Sequence, residues 1–377
     1  MRVLVFSCLH LHPFRAFATY SRGDNSRRLE VLERWNEIVE IGNQPQYDAV
    51  LCAGDFFQEK TRVDVVSVSK AKAILSHLRK PLIACSGTHD ITRSGYSSLS
   101  VFSETVSHPG SVINEMEAFA GQRGFYHDGI VRMGNWLFLC IPTQEQTALQ
   151  QAIESVANRV YSRMDSKILL THGDVQGSWL RGNMRVERGL DPRFLARRFS
   201  FSIVGHYHES RLFERVLVPG TCSPHSFSDE GLSGAVWDVN LLDDHNEVIE
   251  IPFYHPLFKT VDLDENPDFS FNVLDYYRIL TSNRDLRRQV IASLPPEVGA
   301  RSIIIYKKPQ SQDAERAAVI PQAERTELLR SYVGSKFLLP SSSVQAERLY
   351  RVGLMLAREG VFDEDSVCEQ LEKLYQE

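Results

Sequence analysis

The sequence predicts an α/β protein built on open, largely parallel sheet, and three observations predict it. Short apolar runs rich in β-branched residues alternate with longer segments of helical spacing. Several of these runs end in a short polar stretch: Cys8-Leu9-His10, Gly54-Asp55, Gly87-Thr88-His89-Asp90, Thr171-His172-Gly173-Asp174 and Gly205-His206-Tyr207-His208. That placement is the third, because open α/β sheets hold their ligands just beyond the carboxyl ends of the strands.

In order, residues 2–7 (RVLVFS) read as a buried strand, followed by a long, aromatic and basic loop over 12–26. Residues 27–41 place Leu29, Leu32, Trp35, Ile38, Val39 and Ile41 near helical spacing, so a helix should pack on the sheet. Residues 48–53 are the second strand, 63–78 a helix, 81–85 the third strand and 94–107 a further helix. Strands are expected at 136–141, 167–170 and 201–204, with a helix over 147–164. After 216–218 and Pro219-Gly220-Thr221 come two more strands, 234–240 and 247–253. The composition shifts near Pro256. A small second α/β lobe is expected over 256–338, with a helix around 283–293 and a strand at 302–306. Pro340-Ser341-Ser342-Ser343 reads as a linker, and 344–375 as two short helices carrying an apolar stripe (Leu349, Val352, Leu356, Val367, Leu371, Leu374) that needs a partner.

A chain of 377 residues, 43% hydrophobic and 24% charged, is long enough for one large domain with smaller parts attached. No apolar run reaches the roughly 18 residues that a membrane span needs, and residues 2–7 enter a strand with no leader pattern before them. Cys8, Cys52, Cys85 and Cys140 lie in or beside strand-like runs, so reduced core or site thiols and a cytoplasmic setting are expected. The net charge of −6 advertises no nucleic-acid binding globally. Two local basic clusters (Arg15, Arg22, Arg27, Arg28; and Arg181, Arg185, Arg188, Arg193, Arg197, Arg198) would suit phosphate at the rim of an acidic centre, or are simply solvated faces.

The chemistry centres on the histidines. His206 and His208, two residues apart just past a buried strand and a glycine, can turn both rings toward one ion. With His10, His89 and His172 at other strand ends and Asp55 beside them, the pattern suits two divalent ions bridged by one carboxylate. His12, His108 and His225 match no ligand position and are read as ordinary.

These motifs resemble those of the calcineurin-like metallophosphoesterases, and within them the SbcD-type DNA repair exonucleases, the nuclease half of the SbcCD complex. The family order is Asp-x-His, Gly-Asp, Gly-Asn-His-Asp, a strand-terminal His, then Gly-His-x-His. The SbcD branch is indicated by NSRRLEVLERW, DAVLCAGDFFQ, ILLTHGDV and VPGTCSPHSFSDEG. The likeness covers residues 1–255 well and the remainder only in architecture. It implies a two-sheet sandwich flanked by helices (1–255), a DNA-capping lobe (256–338) and a linker with helices that dock on an SbcC-type coiled-coil ATPase (339–377).

The resemblance also implies a ligand set. Metal one would be held by Cys8, His10, Asp55 and His208, and metal two by Asp55, Thr88, His172 and His206. His89 would protonate the leaving oxygen or stabilise the transition state, with Asp90 orienting it. Mn²⁺ is the expected ion, with Fe²⁺, Zn²⁺ or Mg²⁺ as alternatives. Two positions depart from the family, Cys8 standing for its first Asp and Thr88 for its Asn. Cys8 is a thiolate ligand favouring zinc or iron, a neutral thiol that binds weakly, or a residue introduced to suppress activity. Weakened or altered binding is the expectation, with metal two surviving better than metal one. Residues 63–78 and 94–107 resemble the helices that pair two copies into a homodimer.

The function expected is that of a metal-dependent DNA exo/endonuclease acting at DNA ends with an ATPase partner. The alternatives are a DNA-binding scaffold whose catalytic centre has decayed, and a phosphoesterase of smaller substrates.

Overall fold

The computed structural model describes residues 1–306 apart from 22, 104–114, 121, 160–165, 181–183, 243–245 and 255. The expected linker at 340–343 and the helices over 344–375 lie outside the described residues, as does the end of the lobe at 338. Residues Met1–Lys307 form one compact unit.

Two large sheets face each other. The first is six-stranded, in the order Asn246–Pro252, Ala235–Leu241, Arg2–Phe6, Ala49–Cys52, Pro81–Ala84 and Gly124–His127. Arg2–Phe6, Ala49–Cys52, Pro81–Ala84 and Gly124–His127 run parallel, and the two strands on the other side run antiparallel to their neighbours. The second is seven-stranded, in the order Arg211–Phe213, Val216–Val218, Phe201–Gly205, Ser166–His172, Trp136–Ile141, Gly129–Met133 and Glu115–Glu117.

Side-chain alternation explains the layers. In Arg2–Phe6, Val3 and Val5 point between the sheets, where they meet Leu51, Ile83, Phe138, Ile168, Leu170 and Ile203. Leu4 and Phe6 point the other way, under helices α1 (Ser26–Gly42) and α2 (Val65–Leu75), against Leu32, Trp35 and Ile38. Leu169 and Val204 on the outer face of the second sheet are covered by α3 (Gln146–Arg159) and α4 (Pro192–Arg198). Strands buried on both faces read as unbroken apolar runs, which is how they were recognised.

The expected helix over 94–107 is not formed across its described part. A short 3₁₀ turn, Ser98–Phe102, stands there, capped by the Ser97 hydroxyl, which accepts from Leu99 N–H. Ser94, Ser97, Ser98, Ser100 and Ser103 compete locally for backbone groups, and the expected helix gives way to turns.

Residues 256–306 carry a three-stranded parallel sheet, Phe258–Asp262, Tyr276–Thr281 and Ser302–Tyr306, with α5 (Arg284–Ser293), α6 (Pro296–Ala300) and a small apolar core of their own. This lobe is fastened to α1. Tyr276 donates to Glu30 at 2.5 Å, Arg301 pairs with Glu30 at 2.5 Å, and the buried Arg27 guanidinium lies 4.5 Å from the centre of the Tyr276 ring.

Arg27 and Arg28 therefore do not form the solvent-facing rim expected of them. Arg27 is buried against Glu30 and two backbone carbonyls, and Arg28 is committed to Asp24 and Asp64.

Candidate metal centre

The parallel strands bring their carboxyl ends to one edge, where the loops after Phe6, Cys52, Ala84, His172 and Gly205 converge. Backbone hydrogen bonds lock the first two loops together. Cys8 N–H donates to Gly54 O and His10 N–H to Asp55 O, both at 3.0 Å. The price of this convergence is backbone strain: Cys8, His10, Asp55 and His206 have φ of 52°, 50°, 54° and 120°. Left-handed conformations cost non-glycine residues of order 1–3 kcal/mol each and concentrate where function demands them. Gly54 also holds a positive φ of 89°, and a Cβ there would lie 2.5 Å from His172 Nδ1.

All the residues expected at the site are brought together. Cys8, His10 and His208 each offer a ligand atom within 4.8 Å of the others, and so do Asp55, His172 and His206. A further such group is His10, Asp55 and His89, so the Asp55 carboxylate lies between the two halves. Thr88 Oγ1 is 3.3 and 3.5 Å from the two Asp55 oxygens. His89 N–H donates to Asp55 Oδ1 at 2.8 Å.

The ring tautomers show what the cluster is built to hold. His172 Nδ1 donates to Ala53 O at 2.8 Å, which leaves Nε2 to face inward. That Nε2 is fully buried, makes no hydrogen bond, and lies beside Asp55 Oδ2 at 3.1 Å. Two ligand atoms side by side and unaligned for a hydrogen bond suit a shared cation. His208 Nδ1 donates to Asp229 at 2.6 Å and turns its Nε2 to the Nε2 of His10, 3.1 Å away. A carboxylate behind the ring is the usual support of a metal-binding histidine. The residues thus fit a pair of divalent ions.

Electrostatics agree. Burial raises the Asp55 carboxyl, but His172 and the neighbouring imidazoles draw it well below its usual range. Burial pulls His172 down, yet Asp55 opposite carries it up to about 9. His208, also opposed by burial, is raised to about 10 by Asp229 and Cys8. His206 falls to about 4 through burial and the nearby His172. His172 and His208, each facing a carboxylate, are thus drawn toward the charged form, while burial pushes His206 and His10 toward the neutral form.

Asp90 takes a different role from the one expected. Its carboxylate accepts the N–H groups of Phe57 and Gly87 at 3.0 Å and of Phe56 at 3.2 Å, tying the Asp55 loop to the Thr88 loop. Burial and the charge of Asp55 raise it to about 7. His89 is oriented instead by Gln58, whose carbonyl lies 2.9 Å from His89 Nδ1.

His225, read as ordinary, stands at the centre. Its ring lies 4.6 Å from that of His10 and 5.3 Å from that of His208, and stacks on Phe14 at 5.2 Å. Its backbone N–H donates to Asp229 at 2.9 Å, and its backbone carbonyl accepts from Arg27 at 2.9 Å. No motif spacing marked it; the signal was a histidine four residues before an acid in the loop after Pro219-Gly220. Asp174 is a second addition, 3.5 Å from His206 Nε2 and bonded by the Tyr207 hydroxyl at 2.6 Å.

Comparison with known proteins places these observations. Residues 1–210 match the family model described as calcineurin-like phosphoesterase. Solved structures similar to the chain include a novel archaeal phosphodiesterase (16% identity, TM-score 0.32, covering 67% of this chain and 100% of that one). Others are a dimetal phosphatase from Danio rerio (10%, 0.37, 67% and 99%) and a 5'-nucleotidase precursor from Thermus thermophilus (11%, 0.37, 67% and 54%). No curated protein matches.

Proposed function

The chain belongs to the calcineurin-like phosphoesterase family, and on that premise we propose that it is a DNA nuclease, cutting phosphodiester bonds at DNA ends. The family makes it a metal-dependent phosphoester hydrolase; the substrate is our reading. Two bound divalent ions would supply Lewis acidity and water activation near neutral pH. Asp55, His10, His172, His206 and His208 are the residues to hold them, with Cys8 and Thr88 beside them. His89, half-buried and held through Nδ1–H by the Gln58 main-chain carbonyl, would turn Nε2 to the leaving oxygen and, as the doubly protonated ring, would pass it a proton.

The observation that carries the nucleic-acid reading lies on the loops that leave the centre. Trp179, seven residues past His172, has Arg185 at 4.6 Å and Arg211 at 5.5 Å from its ring centre, and Arg211 also lies 4.9 Å from that of Phe213. An open cavity of about 540 Å³ that shares Phe213 with this group is lined by Gln176, Arg193 and Arg215 and by the acids Asp191 and Glu214. Aromatic faces flanked by guanidinium groups suit stacked bases and a phosphate backbone.

The reading extends to assembly. A two-fold dimer would use α2, where Val65 and Val66 are 77% and 43% exposed. An SbcC-type ATPase would dock on the segment beyond residue 339, a proposal that rests on the sequence alone.

The test is Mn²⁺-dependent cleavage of linear duplex and single-stranded DNA by the chain and by Cys8→Asp. Cleavage by either supports the nuclease reading. If neither cuts DNA while both bind it, the scaffold reading takes its place. Hydrolysis of small phosphodiesters with no action on DNA would replace both.

A further inference from the structure

Among the described residues, Cys8 supplies the one sulfur in any group of side chains that could hold a metal ion. Its sulfur, a nitrogen of His10 and a nitrogen of His208 converge within 4.8 Å. The residue is fixed on several sides: its N–H donates to Gly54 O at 3.0 Å, and its carbonyl accepts from Thr221 Oγ1 at 2.9 Å. Sγ lies 3.2 Å from Ser7 Oγ, which is itself tied to Ala53 O at 3.1 Å. Cys52, Cys85, Cys140 and Cys222 are also free and buried, but none of them belongs to a ligand group among the described residues. A thiol that merely fills core space does not need a left-handed backbone, a φ of 52°, beside two imidazoles.

We propose that Cys8 is a thiolate ligand and that the centre holds two unlike ions. The half made by Cys8, His10 and His208 takes a borderline-soft ion of the zinc class. The half made by Asp55, His172 and His206, with the Thr88 hydroxyl nearby, takes a harder ion such as manganese. Binding breaks the S–H bond of Cys8 and forms a sulfur–metal bond; the proton leaves to solvent, and no oxidation state changes. For zinc-class ions this reverses the order of strength suggested by the sequence alone. The inference rests on the reading of the cluster as a metal centre and is independent of the substrate.

The test uses Co²⁺ as a spectroscopic probe on the full-length protein after chelation and dialysis. The first equivalent of Co²⁺ should produce a near-ultraviolet thiolate-to-cobalt charge-transfer band. Cys8→Ser should abolish the band and weaken Zn²⁺ binding by roughly 10-fold or more, at least the loss seen when a mere ligand support is removed. Cys222→Ser, at the residue whose amide donates to Ser7 O at 3.0 Å, should keep the band. Cys8→Asp should still bind two ions, lose the band, and shift its preference from zinc toward manganese. Two ions bound without a band in the wild type, or a band that persists in Cys8→Ser, would overturn the proposal even if a variant folds poorly. A band in a protein that leaves DNA uncut would uphold the thiolate ligand and remove only the nuclease reading.

Discussion

A histidine that binds an ion gives up its second proton and keeps one N–H and one lone pair, and His172 commits its Nδ1–H to the Ala53 carbonyl. The remaining nitrogen is fully buried beside Asp55. His172→Ala is therefore expected to bind one fewer Mn²⁺ per chain by elemental analysis, with affinity in that half reduced about 100-fold or more. Two ions held at unchanged affinity would exclude His172 as a ligand. Residue identity and strand-end position were enough to single out His10, Asp55, His89, His172, His206 and His208, while Cys8, Thr88 and Asp90 entered as site positions only through the resemblance to the family. What that reading missed was set by contacts between loops. The Asp90 carboxylate turns to backbone amides of Phe56, Phe57 and Gly87, so the ring beside it is steered by Gln58. His225 reaches the centre only because its loop returns there, its carbonyl anchored by Arg27. No spacing rule within one strand can encode either.

Among the elements, those with apolar runs buried on both faces were legible, because their pattern is dictated by the layers above and below. Trp136–Ile141 lies where the sequence places it; Ser302–Tyr306 does too, although Ile303 and Ile305 stay exposed, because its β-branched run alone marks a strand. Short elements without such runs were not, among them the hairpin of Trp179–Leu180 and Met184–Arg185 and the strand Glu115–Glu117. At the start of α1 the decisive signal was charge. The buried Asp24 carboxylate accepts from Arg28 Nε at 2.8 Å and pairs with Lys70, while Arg28 reaches across to Asp64 at 2.5 Å. Burial works against ionisation of Asp24, but Lys70 and Arg28 prevail and lower its carboxyl from 3.8 to about 2. A carboxyl depressed in the folded state stabilises above its unfolded value and loses that contribution as pH falls through its folded one. Between about pH 4 and pH 2 the urea midpoint of the wild type should therefore fall more steeply than that of Asp24→Asn. Parallel slopes would show that the cluster contributes nothing to acid stability. Metal stoichiometry at neutral pH should be the same in both, since Asp24 belongs to no ligand group.

For the whole molecule, the proposed nuclease function raises the question of how a chain of net charge −6 would hold a polyanion. Net charge offers no long-range attraction, so on that proposal binding would rest on a short local array close to the metal centre. Two of the four arginines in the first basic cluster are consumed inside the protein, Arg27 linking α1 to the small lobe and Arg28 securing the start of α1. On the proposed reading, Arg185, Arg193 and Arg215, three of the exposed arginines, would meet phosphates, with Trp179 as the stacking surface. If those three each displace one counterion, single-stranded binding should follow a log K against log salt slope of about −2, since each phosphate neutralised contributes about −0.7. Replacing all three with serine should flatten that slope toward zero while leaving the bound ions unchanged. Trp179→Ala should leave the slope intact and weaken binding by about 1–3 kcal/mol, the contribution of one stacked base. Fluorescence anisotropy of a labelled oligonucleotide across a salt series separates the two effects. A slope unaltered by the triple substitution would place the DNA on another face of the molecule.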